Sequence, residues 1–95
     1  MPAYMIVNLE VKDPVAFDQY KSRTGPLIVK HGGEFLVRGG KLTVLEGDWK
    51  PGRVVIVRFP DAAAAQAFYD DPEYKPLIAL RQRAAKTDLV VVEGA

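Results

Sequence analysis

The chain has 95 residues, which makes one domain spanning 1–95 and leaves too little material for a large cavity of its own. Thirteen Lys and Arg against twelve Asp and Glu leave a net charge of +1, so there is no general attraction to nucleic acid, membrane or acidic partners. The absence of cysteine excludes disulfides, thiolate metal sites, iron–sulfur clusters and thiol nucleophiles.

The start, Met1-Pro2-Ala3-Tyr4, lacks the basic region of a secretory signal. The apolar runs fall far short of the ~20 residues that span a bilayer. A cytoplasmic protein is the expectation.

Ala3–Glu10 is apolar at nearly every position and predicts a strand covered on both faces. Asp13-Pro14 supplies an N-cap with proline at the first helical position. Phe17, Tyr20, Thr24, Leu27 and His31 follow at spacings of three and four and share one helical face. Gly25-Pro26 predicts a kink or brief break, and Gly32-Gly33 a left-handed cap.

Glu34–Arg38 and Lys41–Glu46 flank Gly39-Gly40, the signature of a two-residue hairpin. That register would oppose Arg38 to Lys41 and gather Phe35, Val37, Leu42 and Val44 on one face. A loop follows over Gly47–Gly52, then an apolar strand over Arg53–Phe59. Asp61 is the predicted cap of a second helix, and Asp71-Pro72 the start of a new helical segment. Tyr74, Leu77, Ile78, Arg81 and Ala85 share a face along it. Leu89–Val92 is the last strand.

The order β-α-β-β-β-α-β is a ferredoxin-like β-α-β-β-α-β sandwich of the α+β class with an extra hairpin strand. Helices would cover one face of its sheet, yet the first, third and last main strands are apolar on both. The uncovered face therefore predicts a homodimer packed sheet to sheet.

His31-Gly32-Gly33, Leu36-Val37-Arg38-Gly39-Gly40, Leu45-Glu46-Gly47-Asp48-Trp49, Phe59-Pro60, Asp71-Pro72-Glu73-Tyr74 and Val92-Glu93-Gly94 together resemble the family called domain of unknown function 1330. The resemblance runs along essentially the whole chain. It implies membership of the dimeric α+β barrel superfamily, whose subunits are ferredoxin-like and face each other through their sheets. That superfamily includes cofactor-free monooxygenases, muconolactone isomerase-like proteins and chlorite dismutase-like haem proteins, so the resemblance names no reaction. The family commonly has a carboxylate before Phe-Pro, where this chain has Arg58. Any role of that carboxylate is changed or lost here.

His31, the only histidine, is the candidate acid/base; in the last turn of a helix it also suits the dipole. Arg38, opposed to a like charge, is a candidate grip for an anionic group, unless it splays into water or pairs with Glu34 or Glu46. Trp49, in a polar loop, is placed to lid a pocket or anchor the dimer contact. Tyr74 and Arg81, two helical turns apart, would line a helix–sheet cleft with Tyr20 and His31. In the alternative, Tyr74 is a packed ring and Arg81 pairs with a nearby carboxylate.

Asp70-Asp71 makes a poor metal site, with Asp71 better explained as a cap. No glycine-rich phosphate loop precedes a helix. The central strand lacks the aromatics of an RNA-binding sheet. The expectation is a small-molecule-binding homodimer without metal or organic cofactor, with or without turnover. The competing expectation is a non-catalytic assembly or regulatory module.

Overall fold

A computed structural model describes residues 1–95. Its elements are β1 (Ala3–Val11), α1 (Pro14–Lys30), β2 (Glu34–Arg38), β3 (Arg53–Phe59), α2 (Ala62–Asp70), α3 (Lys75–Ala84) and β4 (Ala85–Glu93). The strands form one antiparallel sheet in the order β2-β3-β1-β4. This is the ferredoxin-like α+β plan, with the sheet open rather than closed into a barrel. No helix is long and apolar enough to cross a membrane.

The helix boundaries follow from local chemistry. Asp13 accepts a hydrogen bond from the Ala16 amide at 3.2 Å and Asp61 one from the Ala64 amide at 2.7 Å, each satisfying an orphan donor of a first turn. At the end of α1, Gly32 adopts φ +79° and its amide bonds to Val29. The Gly33 amide bonds to Ile28, completing the two bonds of a Schellman cap. The predicted break at Gly25-Pro26 does not occur: α1 runs unbroken through both residues. Proline removes one amide donor there, while Thr24, Leu27 and Ile28 on either side are buried and hold the helix on the sheet.

The predicted hairpin is corrected. Only Gly39 of the glycine pair has positive φ, at 69°, whereas the type I′ turn needs it at both central residues. The Gly39 amide bonds to the Val54 carbonyl at 2.8 Å, so β2 continues onto β3. Its register sets Glu34 opposite Arg58, Phe35 opposite Val57 and Arg38 opposite Val55, with an irregularity at Leu36. Arg38 therefore does not oppose Lys41. Residues 41–50 form no strand and are exposed throughout, so the extra hairpin strand is absent. A third helical element takes its place in the order, because Asp71-Pro72 divides α2 from α3. Ala85 already belongs to β4, which begins before the predicted Leu89.

Strand alternation sorts the sheet into two faces. Met5, Val7 and Leu9 are buried beneath the helices, and Tyr4, Ile6 and Asn8 are half-buried on the open side. Pairing carries Val57, Val55 and Arg53 to the helix side and Arg58, Ile56 and Val54 to the open side. β4 adds Val90 and Val92 to the open face, 56% and 49% exposed. Asn8 there accepts from the Gly52 amide at 2.8 Å. Under the helices, Phe59, Phe68, Tyr74 and Val57 are the largest fully buried side chains.

Candidate functional site

The helix-covered face is not filled, and the single chain holds a cavity of its own, against the expectation from its length. A cavity of about 510 Å³ lies between α1 and the sheet, within the usual size of small-molecule sites. Met5, Val7, Leu9, Val55 and Val57 form its floor. Its walls carry five rings: Phe17 and Tyr20 from α1, Phe35 from β2, Phe68 from α2 and Tyr74 just before α3. Asp18, Lys21, Ser22, Pro26 and Arg38 are its exposed lining residues and mark its mouth.

Two arginines stand on this apolar lining. Arg38 lies over the Phe35 ring, 3.8 Å from its centroid, and Arg53 lies 5.7 Å from that of Phe17. Neither forms an ion pair with a carboxylate, whereas Asp18 at the same mouth is taken by Lys21 at 3.2 Å. Arg53 bonds the Arg38 carbonyl at 3.3 Å, and its Nε is buried without a partner. Gly39 suits this place because its φ of +69° is one that L side chains rarely adopt, and its bare Cα lies beside the Arg53 guanidinium.

The deep wall is a polar chain. Tyr20 and Tyr74 join hydroxyl to hydroxyl at 2.7 Å, and Arg81 donates to the Tyr74 hydroxyl at 2.8 Å. Tyr74 is 1% and Arg81 4% exposed. Burial, and then the neighbouring Tyr20, push the Tyr74 phenol well above its usual range, so it stays protonated at neutral pH. Burial works against the charge of Arg81, but the facing tyrosine oxygens outweigh it and its pKa is raised. One turn beyond Tyr20, Thr24 lines the cavity, and its buried hydroxyl has no partner.

The predicted residues thus separate. Tyr20, Tyr74 and Arg38 meet at the cavity. Arg81 lies behind Tyr74, packed against a phenol and not against a carboxylate. His31 caps α1 outside the cavity, its Nε2 2.7 Å from Asp71 Oδ2, with Lys30 on the same oxygen at 3.1 Å. Asp71 also accepts from the Glu73 amide at 2.9 Å. Its carboxyl is held well below the usual carboxylate range by His31 first, then by the Glu73 amide and Lys30. Trp49 is 67% exposed on the connection between β2 and β3 and does not line the cavity. Arg53 and Thr24 were not singled out from the sequence as site residues. Alternation through Arg53, Val55, Val57 and Phe59 carries the first signal, and the i, i+4 spacing of Tyr20 and Thr24 the second.

A family model described as domain of unknown function DUF1330 matches residues 2–95. No curated protein matches the chain. Among solved structures, a protein of unknown function from Rhodopseudomonas palustris is 24% identical with a TM-score of 0.77, over 99% of this chain and 82% of that one. SnoaB from Streptomyces nogalater, a cofactor-independent oxygenase, is 16% identical with a TM-score of 0.68, over 99% and 93%. A dimeric ferredoxin-like protein of unknown function from Jannaschia sp. CCS1 is 18% identical with a TM-score of 0.67, over 99% and 100%. At these identities the likeness is one of fold.

Proposed function

The chain belongs to the DUF1330 family, whose description assigns no reaction, and we propose that it binds a small, largely aromatic organic anion between α1 and the sheet. The observation that carries this reading is the pair Arg38 and Arg53, set without carboxylate partners on a mostly apolar, ring-walled cavity. Arg53 is half-buried and Arg38 exposed at the mouth, and a guanidinium holds a carboxylate bidentately. The apolar walls select a ligand by the area it removes from water. In this reading Tyr20 and Tyr74 contact the ligand, Arg81 acts from behind them, and His31 fastens helices together. The fold relative SnoaB is a cofactor-independent oxygenase, which agrees with a ligand handled by side chains alone.

A thermal-shift series with benzoate, phenylacetate and 4-hydroxybenzoate against the matching uncharged alcohols tests it. A carboxylate at ~100 times its Kd should stabilise the protein by about 2.7 kcal/mol. The Arg38→Ala/Arg53→Met double variant should lose that response. No shift with any carboxylate, or an equal shift in the double variant, overturns the reading.

We also propose a homodimer built through the open sheet face. Tyr4, Ile6, Val54 and Ile56 on that face, with the exposed Val90 and Val92, form an apolar sheet surface that monomers seldom leave bare. A ferredoxin-like relative of the same fold is dimeric. Trp49 and Leu45, 67% and 92% exposed on the long connection, would extend this contact to the second copy.

A further inference from the structure

We infer that the cavity recognises the ionised oxygen of a phenol or enol, held by a hydrogen bond from Tyr20 that the buried Arg81 strengthens through Tyr74. The inference rests on the cavity reading above and adds to it the class of ligand and the group that selects it.

The direction of each hydrogen bond follows from the inventory of donors. A guanidinium only donates, so the Tyr74 oxygen is the acceptor toward Arg81 at 2.8 Å. The Tyr74 hydrogen then needs an acceptor. Tyr74 is 1% exposed, and the Tyr20 hydroxyl at 2.7 Å is the only other group that its own bonds to. A buried donor left without an acceptor is costly, so Tyr74 donates to Tyr20. The Tyr20 hydrogen is thereby left over. Tyr20 is half-buried and lines the cavity, so the cavity is where that hydrogen finds an acceptor. Bonds in such a chain polarise one another, and a cation at its far end makes the last O–H a stronger donor.

Two further observations point to a negatively charged acceptor. Arg81 is 4% exposed, has no carboxylate partner and leaves its Nε unpaired. A buried charge of this kind calls for an opposite one, and the trio supplies none. Thr24, one turn from Tyr20, holds a buried hydroxyl without a partner on the same cavity wall. A phenolate or enolate oxygen accepts more than one hydrogen bond, and a neutral phenol shares its oxygen less well. Fixed donors aimed at an oxyanion in a water-poor site stabilise that oxyanion selectively.

The probe is 4-hydroxy-3-nitrobenzoate. Its carboxylate suits Arg38 and Arg53, and its phenol changes absorbance on ionising. Titrated with and without protein, the bound probe should ionise about tenfold more readily than the free one. Tyr20→Phe and Arg81→Met should still bind the probe and should each remove most of that preference. A probe that binds but ionises no more readily than in water overturns the inference and leaves the cavity reading standing. So does a preference unchanged in both variants. If Arg81→Met fails to fold, Tyr20→Phe, altered at a half-buried hydroxyl, decides alone. Failure of the probe to bind removes the cavity reading and the inference with it.

Discussion

His31 Nε2 stands 2.7 Å from Asp71 Oδ2, tying the last turn of α1 to the turn between α2 and α3. An ionised carboxylate only accepts, so Nε2 carries the hydrogen. Asp71 gains most from this contact, since its carboxyl titrates well below the usual range in the folded protein. A folded pKa below the unfolded value of about 3.9 means stability that is present above that pH and is lost as pH falls through the folded value. Thermal melts of wild type and Asp71→Asn check this. The gap in Tm should be full at about pH 5 and clearly smaller at about pH 3. A gap that does not change with pH would show that the carboxylate charge is not what joins the helices.

Removal of the Tyr74 hydroxyl takes away the group to which the buried Arg81 donates at 2.8 Å. Tyr74→Phe is therefore expected to destabilise the fold by about 2 kcal/mol, as for a hydrogen bond to a charged group. Tyr20→Phe leaves the Arg81 contact intact and is expected to cost about 1 kcal/mol. Urea denaturation with matched slopes measures both. Equal losses would mean that the chain does not run in the order Arg81, Tyr74, Tyr20.

The same substitution should have opposite signs at two glycines of α1 and its cap. Gly25 lies in the helix with open space where a Cβ would go, so Gly25→Ala should stabilise by about 0.5–1 kcal/mol. Gly32 has φ +79° and Pro60 Cγ at 3.1 Å from a built Cβ. Gly32→Ala should destabilise by about 1–2 kcal/mol. Chemical denaturation of the pair is a direct measurement.

Ile56 sits at the centre of the open face, opposite Ile6 on β1 and Val37 on β2. Ile56→Asp should halve the mass seen by sedimentation, from twice the 10.5 kDa of one chain to a single copy. The helix side should be untouched, so circular dichroism of the variant should match the wild type. An unchanged mass would move the subunit contact elsewhere.

Local signals read well along this chain where one residue decides one bond. Asp13, Asp61 and Gly32 act as caps because each has the one side chain, or the absence of one, that its position needs. The hairpin at Gly39-Gly40 read wrongly because two glycines permit a turn without requiring it. Arg53–Phe59 offers β2 a longer apolar partner, and that competition is tertiary. The break at Pro26 was overruled in the same way by Leu27 and Ile28 burying beside it. At the cavity, helical spacing reveals Tyr20 and the Tyr74–Arg81 pair. It cannot show that the three meet as a chain, which depends on how α1 lies across α3. His31 was legible as a residue at the end of α1 on the Tyr20 face, but its partner Asp71 lies forty positions away and no periodicity links them.

The Ala84 carbonyl accepts from both the Lys12 and Asp13 amides, at 2.8 and 3.0 Å. The end of α3 is thus pinned to the start of α1, while His31 and Asp71 pin the opposite ends. Two helices fastened at both extremities behave as one rigid plate, and prising them apart breaks both fastenings together. The free way into the space beneath them is then its exposed rim, Asp18, Lys21, Ser22 and Pro26 on α1 and Arg38 on β2. A bound molecule would enter and leave there without the two helices having to part.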